Sequence, residues 1–131
     1  HAADHLVVDK WFALQGMIPE EGTIERVRAL MQHHAFTYAN PNRLRSLIGS
    51  FSVNLTQFHA ADGRGYDLIA SVVSELDSRN PQVAARLLGA FRTWRSMEAG
   101  RRSLAEAALK RVAAQHGLSA DVRDIVDRSL A

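Results

Sequence analysis

The sequence predicts an all-α protein, with about seven helices in an α/α superhelical array of the HEAT or armadillo kind and no sheet. Three observations carry that expectation. Nearly every segment places its apolar residues at helical spacing, strand-like alternation is absent, and one segment is written twice. "NPNRLRSLIGSF" (40–51) returns as "NPQVAARLLGAF" (80–91), with Leu47, Ile48, Gly49 and Phe51 matched by Leu87, Leu88, Gly89 and Phe91. A period of about 40 residues suits a stack of two-helix units, each burying its apolar side against the next.

Val7, Trp11, Leu14 and Ile18 fall on one face of a first helix. Thr23 is placed to cap the second, whose inner side is Ile24, Val27, Leu30 and Met31, with Glu25 at the positive end of the dipole. Asn40 caps the third, and Pro41 occupies the first helical position, where a missing N–H costs nothing. Leu44, Leu47, Ile48 and Phe51 form its inner stripe. A turn-rich loop, "FHAADGRGY", leads to a fourth helix with Tyr66, Ile69, Ala70, Val73 and Leu76 inward. Asn80 and Pro81 repeat the start for Ala84, Leu87, Leu88, Phe91 and Trp94. "RRSLAEAALKRVAAQHG" is a sixth helix, ending at a left-handed Gly117. Ser119 caps the last, with Val122, Ile125, Val126 and Leu130 inward. The expected core includes Trp11, Leu30, Leu47, Phe51, Val73, Leu87, Phe91 and Ile125. Gly49 and Gly89 lie inside helices, where glycine costs about 1 kcal/mol relative to alanine. Either a close helix–helix approach or an open face near a ligand would offset that cost.

The length is one domain's worth, residues 1–131, and 47% hydrophobic against 23% charged residues places it with folded rather than disordered chains. It lacks an initiator Met and a signal peptide, so we expect a fragment of a larger protein. No apolar run reaches the roughly 20 residues of a membrane span, and no membrane partner is expected. The absence of cysteine excludes disulfides and thiolate metal sites, fits a reducing compartment, and leads us to expect a cytoplasmic protein. Net charge is only +2. Arg92, Arg95, Arg101, Arg102, Lys110 and Arg111 are spread over two helices and diluted by Glu98 and Glu106. That is a solvated face rather than a phosphate-binding stripe, and no nucleic-acid partner is expected.

Motifs for chemistry are missing. There is no His-Glu-x-x-His, no Gly-x-Ser-x-Gly, and no phosphate-binding glycine loop. Adjacent His33 and His34 point to different sides of a helix and serve as helix-terminal polar residues. His59 and Asp62 could be drawn as a ligand pair, although a loop hydrogen bond suits them better. An independent catalytic centre is not expected. What remains is the outward face of the repeated helices. At 100° per residue, Gln82, Arg86, Gly89 and Thr93 share a sector opposite Phe91, and Asn42, Arg45, Ser46 and Gly49 share the matching one. An arginine and an amide among small residues suit either a polar ligand or plain solvent.

Four stretches, "VVDKWFALQ", "NPNRLRSLIGSF", "FHAADGRGY" and "SRNPQVAARLLGAF", resemble in that order the C-terminal region of the bacterial aminopeptidase N family, zinc-dependent alanyl aminopeptidases of the gluzincin type. The resemblance covers about residues 4–131. It implies the last, all-helical domain of a multidomain enzyme, closing over an upstream catalytic domain of the same chain and enclosing the cavity above the zinc. It further implies peptide substrates, no catalytic or metal-binding residue here, and zinc held only by the upstream domain. Arg45, Gln82 and Arg86 match positions associated with the channel wall beyond the scissile bond. The loop from Ser52 to Gln57 carries no role. On the residues alone, a free-standing helical-repeat module binding a protein or peptide remains open.

Overall fold

Asn40 and Asn80 start their helices as the sequence predicts. The Asn40 side-chain oxygen accepts from the Arg43 N–H at 3.1 Å, and that of Asn80 accepts from the Val83 N–H at 3.2 Å. Each cap satisfies a donor that a helix start leaves free, and the proline after it gives up no bond. The computed structural model describes the backbone of residues 2–131 and the side chains of residues 4–131. Among the described residues there are helices and turns and no strand. The chain divides into two compact units, His1–Phe58 and His59–Ala131.

The first unit contains α1 (Ala2–Gly16), α2 (Thr23–Leu30), α3 (Pro41–Leu44), α4 (Ser50–Ser52) and α5 (Leu55–Phe58). A π-helical turn, Arg45–Gly49, joins α3 to α4, so the three run as one helix with a widened middle. Leu44, Leu47, Ile48 and Phe51 are buried along it, with Phe12, Ile24, Val27 and Phe58 opposite. α1 lies against the widened turn at very short range. A Cβ on Gly16 would sit 2.7 Å from the Leu47 carbonyl oxygen and 3.1 Å from the Phe51 nitrogen. The close approach that a glycine permits is therefore at Gly16. Gly49 meets nothing nearer than the Arg45 Cβ at 3.9 Å, and Gly89 meets nothing within 4 Å. Tight packing is not what keeps those two as glycine.

The first helix turns a different face inward than its spacing suggested. Val7, Trp11 and Leu14 are exposed, while Phe12 and Gly16 are buried. α1 is apolar on both sides, so the period cannot choose between them. The choice falls to Asp9, on the inward side, whose carboxylate accepts from Arg43 Nε at 2.5 Å. Arg43 is 4% exposed. It also donates to the Ala35 carbonyl oxygen, lies 3.2 Å from His5 Nδ1, and stacks its guanidinium over Phe12 at 5.6 Å. A buried cation is tolerable only with partners of this kind. Trp11 thus leaves the expected core, and Leu30 and Ile125 are half-buried at its edge; Leu47, Phe51, Val73, Leu87 and Phe91 are buried as expected.

Two local expectations also change. Thr23 does not cap α2: its hydroxyl donates back to the Ile18 carbonyl oxygen at 2.7 Å, and the residue before it, Gly22, holds a left-handed φ of 92°. Asn54, also buried, donates its amide to the carbonyl oxygens of Gly16 and Ile18 at 3.0 and 2.8 Å. The bond to Gly16 satisfies a carbonyl at the C-terminal end of α1 that no later turn could reach.

The second unit contains α6 (Arg64–Leu76), α7 (Pro81–Leu88), α8 (Ala99–Ala113) and α9 (Ala120–Leu130), with 3-10 turns at Gly89–Phe91 and Trp94–Ser96. α6 is its central helix, burying Tyr66, Leu68, Ile69, Val72, Val73 and Leu76. Gly63 starts it at φ 81°, with Leu104 carbons 3.1 Å from where a Cβ would stand. Ser119 caps α9 through the Val122 N–H as predicted, and its own N–H and hydroxyl both donate to the buried Asp77 carboxylate at 2.6 Å. α8 starts at a Glu98 cap, whose carboxylate accepts from the Arg101 N–H at 3.1 Å, and ends at Ala113. Gly117 is left-handed at φ 76°, but in the turn beyond the helix end. All seven expected helices are present, and the one-turn α5 joins them where a loop was expected.

The glycine geometry predicts opposite signs for one substitution. Gly16→Ala should destabilise by about 1–3 kcal/mol, because backbone atoms must move. Gly89→Ala should stabilise by about 0.4–1 kcal/mol, having helical φ and open space. Chemical denaturation of both variants checks this, and equal effects would mean α1 does not approach the π turn this closely. Asp9→Asn should cost about 3 kcal/mol by stranding the Arg43 charge, whereas the double change Asp9→Leu with Arg43→Met should recover most of that loss. A double variant less stable than Asp9→Asn alone would refute the charge argument.

Candidate functional site

The repeated starts fix which residues look outward. α7 is eight residues long, and its inner side holds Val83, Ala84, Leu87 and Leu88. Gln82 and Arg86, one turn apart, are exposed on the other side. Among the described residues neither makes a hydrogen bond or ion pair within the chain. Arg45 is exposed on the π turn of the first unit, where its guanidinium donates to the Asn42 side-chain oxygen at 2.5 Å. Ser46 hydroxyl donates to the Asn42 carbonyl oxygen at 2.8 Å. The structure therefore brings Gln82 together with Arg86, and Arg45 together with Asn42, each pair within its own unit.

The helical sector drawn from the sequence holds only part of the way. Beyond Leu88 the chain tightens to a 3-10 turn, and beyond Leu44 it widens to a π turn. A rotation of 100° per residue no longer applies to Thr93 or Gly49. Hollows of about 360 Å³ (lined by Ser71, Ser74, Glu75, Arg111 and Gln115, among others) and about 400 Å³ (lined by His5, His34, Asn40 and Arg43, among others) lie elsewhere. Arg45 in the first unit, and Gln82 and Arg86 in the second, line neither of these hollows.

Most other arginines are occupied. Arg111 pairs with Asp67, Arg64 with Asp62 at 2.7 Å, and Arg101 with Glu98 at 3.2 Å. Arg95 lies over Trp94 at 4.6 Å and donates to the Ala131 oxygen at 2.7 Å. Glu98 is held below the usual carboxylate range, first by the Arg101 N–H. Glu106 is likewise lowered, first by its hydrogen bond from Lys110.

The histidines are built into local structure. His33 and His34 lie in the turn after α2 with stacked rings 4.3 Å apart, and His33 Nδ1 accepts from the Ala35 N–H. They do not point to opposite sides of a helix. His59 pairs with Tyr66, not Asp62: its Nδ1 is 2.6 Å from the Tyr66 hydroxyl oxygen. Burial raises the pKa of Tyr66 above its ordinary value. The phenol therefore keeps its proton at neutral pH, and its hydroxyl and His59 Nδ1 share one hydrogen bond. Burial, and then the charge of Arg101, lowers the pKa of His59. Arg101 also donates to the His59 carbonyl oxygen at 2.6 Å. Among the described residues no three His, Asp or Glu side chains converge as a metal would require. No step involving zinc is assigned to these residues.

Arg43, Asn54 and Asp77 are the polar residues the sequence reading overlooked. The signal was available for Arg43, which stands at i, i+4 and i+8 with Leu47 and Phe51 on the inner stripe. Asp77 likewise follows Val73 by four. A charged residue on a buried stripe marks a buried pair.

The fold defines an all-helical domain built on a repeated helix start. Residues 1–131 match, and the chain belongs to, the family described as a domain of unknown function (DUF3458_C) with ARM repeats. It is similar to aminopeptidase N of Escherichia coli, 43% identical over 127 residues, which is 96% of this chain and 15% of that protein. Aminopeptidase N of Haemophilus influenzae is 42% identical over 97% of this chain, and that of Caulobacter vibrioides 40% over 95%. The crystal structure of Legionella pneumophila aminopeptidase A in complex with aspartic acid matches with a TM-score of 0.89 at 35% identity, covering 97% of this chain and 15% of that one. The chain thus spans about 15% of the length of these relatives and is homologous to the C-terminal helical region of aminopeptidase N. No helix among the described residues is long and apolar enough to cross a membrane.

The His59 arrangement sets a pH dependence. The folded chain holds this imidazole neutral below its ordinary value of 6.5, where the unfolded chain takes up a proton. Its contribution to stability is therefore complete above pH 6.5 and declines as pH falls from there through the lowered folded value. His59→Gln should flatten that part of the profile of stability against pH. Parallel profiles for variant and parent between about pH 7.5 and 5 would show that His59 titrates as a free histidine.

Proposed function

We propose that this chain is the C-terminal helical domain, single and without catalysis of its own, of a multidomain bacterial zinc aminopeptidase, where it borders the cavity that receives peptides. The observation that carries the proposal is the match along 96% of the chain at 43% identity to an aminopeptidase N more than six times as long. In this reading the zinc and the chemistry belong to an upstream domain of the same polypeptide, and the compartment is the cytoplasm. The substrates are peptides releasing their N-terminal residue.

Arg45, Gln82 and Arg86 are the residues we assign to the cavity wall. Two features support them. They are exposed on helices whose opposite faces are buried, and Arg86 and Gln82 make no hydrogen bond or ion pair among the described residues. A guanidinium is a planar fork of donors suited to a peptide carbonyl or carboxylate, and the Gln82 amide can donate and accept beside it. The Asn42 side-chain oxygen accepts from the Arg45 guanidinium and holds it in one orientation. Such a wall grips the peptide beyond the cleaved bond. In this reading the enclosed cavity limits entry to unfolded or short peptides.

In the full-length enzyme, Arg45→Ala and Arg86→Ala should reduce kcat/KM for a tetrapeptide by about tenfold, the worth of one charge-assisted hydrogen bond. Hydrolysis of an aminoacyl arylamide, which has nothing to reach the wall, should change less than about twofold. If the contact is alike in ground and transition states, the loss lies in KM. Equal losses on both substrates would point to damaged folding or domain docking, and no loss on either would return these residues to plain solvent. A parent without any aminopeptidase activity would favour the free-standing binding module.

A further inference from the structure

Gly49 and Gly89 are the part of the repeated motif that packing leaves unexplained. Both have ordinary helical torsions, φ −60° and ψ −42° at Gly49 and φ −58° and ψ −21° at Gly89, which any residue adopts. A Cβ would fit at each. Its nearest neighbour would be the Arg45 Cβ at 3.9 Å in the first case, and nothing stands within 4 Å in the second. Alanine would therefore be the more stable residue at both positions. A glycine that the fold does not require leaves bare backbone at the surface of a helix that it weakens. Bare backbone is where the main chain of a ligand can approach closely.

Two further observations tie these positions to the arginines of the same unit. The glycines of the two copies align but the arginines do not, since Arg45 precedes Gly49 by four residues and Arg86 precedes Gly89 by three. The winding compensates for the offset. A π turn holds more residues than an α turn, and Arg45–Gly49 is π; a 3-10 bond spans three, and the Gly89 N–H donates to the Arg86 carbonyl oxygen. Each glycine thus lies one turn beyond its own arginine, on the same side. In both copies, too, the glycine carbonyl is held by a side chain three residues later. The Ser52 hydroxyl donates to that of Gly49 at 2.6 Å, and the Arg92 guanidinium to that of Gly89 at 3.1 Å. The bare segments are fixed in place beside their arginines.

We propose that Gly49 and Gly89 are specificity-determining positions, at each of which the main chain of a peptide lies against the helix with a carbonyl or carboxylate on the neighbouring arginine. The proposal rests on the reading of these faces as cavity wall. It names what the wall takes, an extended peptide backbone rather than a particular side chain. A methyl group on either glycine would hold that backbone off the helix and stretch its hydrogen bond to the arginine.

The test uses the full-length parent carrying Gly49→Ala, Gly89→Ala or Gly89→Leu, and reads the ratio of kcat/KM for a tetrapeptide to that for an aminoacyl arylamide. Each alanine variant should lower the ratio about tenfold, the low end of what one added carbon costs in a fitted site. Gly89→Leu should lower it further, because it adds more volume. The loss should lie in KM. A ratio within about twofold of the parent's in both alanine variants, equal losses on the two substrates included, would overturn the proposal. A fall in one variant alone would overturn the assignment of the other glycine. Failure of either alanine variant to fold would overturn it too, because the geometry at both positions admits a methyl group. The arginine variants separate this inference from the functional reading. If Arg45→Ala and Arg86→Ala lower the ratio and the glycine variants do not, the glycine inference falls and the wall stands. If the glycine variants lower it and the arginine variants do not, the role of the arginines falls and the close approach at the glycines stands.

Discussion

A helix start of two residues governs both faces of this protein. In each unit an asparagine takes the N–H of the third helical residue, and the following proline fixes the backbone torsion of the first. The rotation of the helix is set before its first apolar residue. Leu44 is then committed inward, as are Ala84 and Leu87, and by the same rotation Gln82 and Arg86 are committed outward. The core and the candidate wall follow from one constraint. Any change that slips the start moves both.

After that common opening the two copies diverge. The first widens to a π turn at Arg45–Gly49, and the second tightens to 3-10 at Gly89–Phe91. The widened turn is where α1 comes closest, at Gly16. π turns are rare and are found often at functional sites, which accords with Arg45 standing at the start of this one. The like letters Leu-[Ile/Leu]-Gly-x-Phe thus serve two windings.

The buried polar residues hold what the repeat does not. Arg43 joins α3 to α1 and to the turn before it, Asn54 closes the C-terminal end of α1, and Asp77 fastens the start of α9 to the end of α6. Asn54 and Asp77 supply partners to groups that a helix end leaves bare. Because each is itself fully engaged, these contacts specify one arrangement. An unpaired charge in their place would be costly. The exposed arginines are a different population, and Arg86 is one of those that make no hydrogen bond or ion pair among the described residues.

What the sequence determined by itself was local. Helical spacing, asparagine and serine caps, and the inward stripes of α3, α6, α7 and α9 were legible because neighbours within four residues decide them. The outward placement of Arg45, Gln82 and Arg86 was legible for the same reason, and the family to which those helices belong could be recognised from the motifs that contain them. The tertiary structure decided what depends on contacts between distant residues. It chose the Phe12 side of α1 over the Trp11 side, because the Asp9 carboxylate had to meet Arg43. It turned Thr23 back onto Ile18, gave His59 to Tyr66, and widened one of two like segments to a π turn while tightening the other to 3-10. Periodicity names the candidates for burial, but on a helix apolar all round only a partner elsewhere in the chain can choose among them.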